Sequence, residues 1–135
     1  MFEQSGGAML GDKGKDGIFE IAYRTALALP REKLPEAILA SIDASAYGFL
    51  KAFRERGIRV PEDVAVAGFD DEVNPRYAFP ELTTVHHPFR EKGREAVRML
   101  VGLLEGSLGE DSAPQTIVKP SLVIRKTCGM EGKSS

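Results

Sequence analysis

From Ile18 onward the apolar residues Ile18, Ile21, Ala22, Ala26 and Leu29 recur at helical spacing. This predicts a helix over 17–29, with Asp16 as its N-cap and Pro30 as its stop. The run Ala37-Ile38-Leu39-Ala40-Ser41-Ile42 follows Pro35 and is short and nearly continuous in apolar character, as for a strand covered on both faces of a parallel sheet. Asp43 then sits where an N-cap is expected. Behind it Ala46, Phe49, Leu50 and Phe53 share one side of a helix, Lys51, Arg54 and Glu55 lie mostly on the other, and Gly57 marks the stop. A second buried strand is predicted over 63–69, ending at Asp70-Asp71-Glu72. Two strands joined by one helix form a βαβ unit, for which a right-handed crossover is expected.

A turn-rich stretch containing Asn74-Pro75 and Phe79-Pro80 leads to a third strand, Leu82-Thr83-Thr84-Val85. The longest helix is predicted from Phe89 to Glu105, with Val97, Leu100, Val101 and Leu104 as its apolar face and Gly106 ending it. A polar linker over 106–114 precedes two short extended pieces over 115–125, interrupted at Pro120 as on an edge strand. Alternating strands and helices make the chain α/β, with a mainly parallel sheet flanked by helices.

The length, 135 residues, suits one core but not two full lobes. A formal net charge of -2 argues against direct binding of nucleic acid, whose phosphates call for a basic surface. Cys128 is the single cysteine, so no internal disulfide can form, which fits a reducing compartment. The first residues lack the basic start and apolar stretch of a secretory signal, and no apolar run approaches the roughly 20 residues of a membrane span. The expectation is a soluble, cytoplasmic protein with a loose glycine-rich leader over 1–15, one domain over 16–129 and a disordered tail over 130–135.

Four stretches, in this order, resemble the effector-binding domain of the LacI/GalR transcription regulators: AILASIDASAYGFLKAFRERGIRVPEDVAVAGFDD, PELTTVHHPFREKGREAV, RMLVGLLEG and PSLVIRKTCG. Together they cover residues 37–129. The segment ending in Gly-Phe-Asp-Asp is distinctive, whereas Leu-Thr-Thr-Val alone is weak. The resemblance implies two similar α/β lobes of the type I periplasmic-binding-protein-like kind, hinged around a small-molecule cleft and crossed three times by the chain. This sequence looks like most of the second lobe, plus the helix after His87 that in the family returns to the first. It implies a sugar or nucleobase effector, a homodimer, no cofactor, and DNA contact only through a headpiece with no counterpart in these residues. A solute-binding receptor shares the fold and is the alternative; the absent signal segment and the VPEDVAVAGFDD string disfavour it.

In parallel α/β sheets ligands lie beyond the carboxyl ends of the strands. Asp70 follows the second strand there, and an ionised carboxylate can accept two hydroxyl hydrogen bonds. The family uses the first aspartate of this motif in that way, although Asp70 and Asp71 could instead cap a turn. Where the family usually has asparagine facing the ligand, this chain has Ile42, which offers no hydrogen bond and implies a less polar ligand or a lost contact. His86, His87 and Phe89 follow the third strand: Phe89 could cover a ring and His87 could donate or accept, or Phe89 could anchor the core beside solvated histidines. Adjacent histidines on extended chain diverge, so His86, His87, Asp70 and Asp71 are not a natural metal or acid–base site, and no catalytic residue is expected. Arg90, Arg94 and Arg98 form a basic stripe that neighbouring Glu91 and Glu95 can neutralise. Tyr47, Phe49, Tyr77 and Phe79 supply aromatic area suited either to a dimer interface, as the resemblance implies, or to the core.

Overall fold

The computed structural model describes residues 14–72, 81–108 and 115–130. Its elements are α1 (Gly14–Ala28), β1 (Ala37–Leu39), α2 (Asp43–Glu55), β2 (Ala65–Asp70), β3 (Thr83–His86), α3 (Phe89–Leu104) and β4 (Ser121–Val123). Short 3-10 turns at Arg31–Lys33 and Lys126–Cys128 complete them. The strands form one sheet in the order β1-β2-β3-β4; the first three are parallel and β4 runs antiparallel to β3. The α/β reading therefore holds, and the tail after Pro120 does take the edge position.

Helix α2 is the crossover between β1 and β2. Its apolar positions land as their spacing requires: Ala46, Leu50 and Phe53 are buried with Ala40, Ile58, Val64, Val66 and Leu82. Phe49 is half-buried against this cluster, its ring 6.0 Å from that of Phe53, and Tyr47 packs on the same cluster. Gly57 ends the helix at φ 64°, where glycine carries no steric penalty.

Helix α1 lies along α2 at a spacing that only a small residue allows. A methyl group on Gly48 would come within 2.5 Å of the Phe19 carbonyl oxygen. The pair is fastened by the Tyr23 hydroxyl donating to Glu55 (2.5 Å), by Arg56 donating to the Ala26 carbonyl (2.6 Å), and by the Lys51 ammonium over the Tyr23 ring. The helix begins at Gly14, so Asp16 falls inside its first turn rather than ahead of it as the N-cap.

Two further expectations are corrected. Strand β1 was expected to be covered on both faces, but it is the end strand of the described sheet and Leu39 is 78% exposed. The apolar stripe on α3 was expected to be buried. Instead Val97, Leu100, Val101 and Leu104 are all exposed, and no other described element packs along the helix. Only Gly102 is buried, under Leu108. All but the last two residues of the expected leader, the turn around Asn74-Pro75, Tyr77 and Phe79, most of the polar linker and most of the tail lie outside the described residues, and Gly14 and Lys15 belong to α1 rather than to a loose leader. No helix among those described is long and apolar enough to cross a membrane.

The loop from α2 to β2 is closed by Asp63, which accepts from the Arg59 backbone N–H (2.9 Å) and from its guanidinium. The side-chain hydrogen bond with Arg59 above all lowers the pKa of Asp63 to about 2. Because the folded pKa is depressed, this contribution to stability is complete above about pH 4, the ordinary aspartate value, and is lost as pH falls through 2. Thermal unfolding of Asp63→Asn should accordingly depend less on pH than the parent between about pH 4 and 2. Parallel profiles would show that the pair contributes nothing.

Candidate functional site

The carboxyl ends of β2 and β3 and the start of α3 enclose an open cavity of about 630 Å³. Its lining comes from Asp70–Glu72, His86–Phe89 and the first turns of α3, including Arg90 and Arg94. This volume falls within the roughly 300–1,000 Å³ of small-molecule sites. Three of the four residues expected to meet a ligand (Asp70, His87 and Phe89) converge here. Ile42 does not: it is half-buried, caps α2 at the end of β1, and is not part of the lining.

Asp70 and Asp71 are consecutive non-glycine residues at positive φ, 111° and 56°. Each such residue costs on the order of 1–3 kcal/mol and persists only where its surroundings over-determine it. The surroundings here do so. The Asp71 carboxylate accepts from the Arg125 guanidinium (2.6 Å) and lies 3.1 Å from His86 Nδ1. Burial works against ionisation of Asp71, but Arg125 and His86 outweigh it and hold its pKa below the usual aspartate range. The next backbone N–H, that of Glu72, donates to Asp43 Oδ2 (2.7 Å).

Asp43 is the hub beneath this turn. It is 2% exposed, and its Oδ1 accepts from the Thr84 hydroxyl on β3 (2.6 Å). The expected N-cap role is not what its carboxylate does: α2 has no side-chain cap, because both oxygens are committed to the ends of β2 and β3. Burial raises the Asp43 pKa; the bonds from Thr84 and Glu72 oppose the rise, and the charges of Asp70 and Asp71 add to it. Gly68 makes room for it, since a Cβ at that position would land on Asp43 Oδ1 and press on Leu82 at 3.0 Å.

Against these committed neighbours, the Asp70 carboxylate carries no hydrogen bond among the described residues. His87 lies with its ring 5.5 Å from Phe69 and 4.5 Å from Phe89. Its Nε2 is 2.8 Å from the Lys92 ammonium, which can only donate, so in the neutral ring the proton belongs on Nδ1. That atom is buried without a partner among the described residues. Phe89 is 58% exposed and presents a ring to the cavity rather than to the core. The site thus combines an acceptor without a partner among the described residues and an aromatic face.

His86 turns to Asp71 and His87 to Lys92, the divergence expected of neighbours on extended chain. No group of three or more His, Cys, Asp or Glu among the described residues is arranged to hold a metal ion. Arg98 pairs with Glu95, while Arg90 and Arg94 are exposed at the rim. Sequence reasoning missed the supports, Asp43, Thr84 and Arg125. One signal was available: a glycine inside a strand, Gly68, often marks a close approach.

A family model described as a periplasmic binding protein-like domain matches residues 9–128. The HTH-type transcriptional repressor PurR of Haemophilus influenzae Rd is 38% identical over 103 residues, and the repressor MelR of Bacillus subtilis 168 is 36% identical over 107. The alignments take in 73% and 78% of this chain and 30% of each repressor, so the chain spans under a third of their length. Among solved structures, a LacI family transcriptional regulator from Arthrobacter sp. FB24 in complex with lactose is 41% identical with a TM-score of 0.73, over 82% of this chain and 42% of that one. The lac repressor dimer bound to operator and the anti-inducer ONPF is 31% identical with a TM-score of 0.70, over 81% and 37%. The fold, the order of its strands and helices and these likenesses agree: the chain belongs to the periplasmic binding protein-like domain family and corresponds to part of the sensor domain of LacI/GalR-type regulators.

Proposed function

We propose that this chain is part of the effector-sensing module of a transcription regulator, and that its cavity takes a small polar ligand of the sugar or nucleobase class. The observation that carries this reading is the Asp70 carboxylate, without a partner among the described residues and held at the cavity by a strained turn, while the carboxylates of Asp71 and Asp43 beside it are engaged. A carboxylate so placed suits two adjacent hydroxyls, or the N–H groups of a heterocycle. Phe89 adds an apolar face of the kind that sugar and base rings stack on. Related regulators are described with bound lactose and with bound sucrose, which favours the sugar class.

In this reading the open side of the cavity and the bare stripe of α3 face a second lobe, and ligand shifts an equilibrium of lobe closure that a DNA-binding headpiece reads. Tyr47 and Phe49 on α2, with Tyr77 and Phe79 beyond the described residues, remain our candidates for a homodimer contact.

Thermal-shift titration with lactose, sucrose and hypoxanthine tests the proposal, using this chain beside a longer protein that supplies the opposing lobe. Binding to the native state must raise the unfolding temperature. Asp70→Ala should weaken the stabilising compound roughly ten- to a hundredfold, as expected for loss of one charge-assisted hydrogen bond or more. Undiminished binding to Asp70→Ala would refute the assigned role.

A further inference from the structure

We infer that Arg125 is a positioning residue for Asp70, clasping the turn that carries this carboxylate to the C-terminal segment. The inference rests on the reading of Asp70 as a ligand contact. It begins in the backbone. Thr83 at the start of β3 grips the chain after β4 twice: its hydroxyl accepts from the Arg125 N–H (2.9 Å) and donates to the Arg125 carbonyl (3.0 Å). Its own N–H donates to the hydroxyl of Thr127, which is fully buried. The root of the Arg125 side chain is therefore fixed against β3.

From that root the guanidinium spans two acceptors. Nη1 donates to the Leu82 carbonyl (2.9 Å), just ahead of β3, and Nη2 to Asp71 Oδ1 (2.6 Å), just beyond β2. The side chain is 30% exposed and that of Asp71 19%, so the pair is partly sheltered from solvent screening. Because Asp70 and Asp71 share a peptide bond and both lie at positive φ, holding the Asp71 side chain restricts the backbone that aims Asp70. Glu72, tied to Asp43, holds the other end. A planar fork can bridge a carbonyl and a carboxylate at once; an ammonium serves such a pair less well.

The test compares Arg125→Met, Arg125→Lys and Asp71→Asn with the parent protein by amide hydrogen exchange and by lactose and sucrose titration. In Arg125→Met the Asp71 and Glu72 amides should exchange roughly tenfold faster or more, while Val66 and Ala67 in β2 keep their protection. Arg125→Lys should recover part of the difference, and Asp71→Asn should reproduce it from the other partner. Unchanged exchange at Asp71 and Glu72 in both Arg125→Met and Asp71→Asn overturns the inference, and so does equal acceleration throughout β2, which marks a merely structural residue. Accelerated exchange at the turn, in a protein whose sugar affinity responds to neither Arg125→Met nor Asp70→Ala, supports the clasp and removes the ligand role instead.

Discussion

Gly68→Ala should destabilise the protein by about 2–6 kcal/mol, a large effect for one added methyl group. Overpacking in a filled interior costs about 1–3 kcal/mol. Displacing the Asp43 carboxylate would add about 1–3 kcal/mol, because the Thr84 hydroxyl and Glu72 N–H would lose their acceptor. The methyl has nowhere else to go, with Asp43 on one side and Leu82 on the other. Chemical denaturation of the variant measures the loss. A change below about 1 kcal/mol would mean that the hub yields freely and is not the support described.

Phe53→Ala should cost about 3–5 kcal/mol, the usual range for emptying a buried aromatic position. Phe53 has no exposed surface and is among the largest fully buried side chains. Since single domains are stable by only about 5–15 kcal/mol, this loss would remove at least about a fifth of the total. Leu100→Ala on α3 is the control. Its side chain is 57% exposed, so its removal should change stability by no more than about 0.5 kcal/mol. Equal losses at the two positions would show that α3 is packed in solution, contrary to the arrangement described.

That contrast marks how far the residue pattern could be read. Phe53 and Leu100 both lie on apolar stripes of helical spacing, and the stripes look alike in sequence. Periodicity shows that a face is apolar; it does not say what covers it. At α2 the cover is the sheet. At α3 the described residues supply none, which accords with a chain spanning 30% of the repressors it matches. Asp70 could be picked out as a candidate ligand contact because it lies at the carboxyl end of a strand, a position readable from local pattern and from the family resemblance. His87 and Phe89, proposed by the same rule, line the same cavity, and Ile42 shows its limit, since it too follows a strand and yet is not part of the lining.

By itself the sequence determined the kinds of elements, their order, the buried side of α2 and the carboxylate at the end of β2. These depend on spacings of two to four residues, which a short window contains. Only the tertiary structure decided that Asp43 is a buried hub rather than a helix cap, that β1 lies at a sheet edge, and that Arg125 reaches Asp71. Asp43 meets Glu72 and Thr84 across 29 and 41 residues, and Asp71 meets Arg125 across 54. A carboxylate beside a helix start satisfies the local rule for a cap equally well. Its real partners are set by strand register and by the space at Gly68, properties of the assembled sheet rather than of any short stretch of chain.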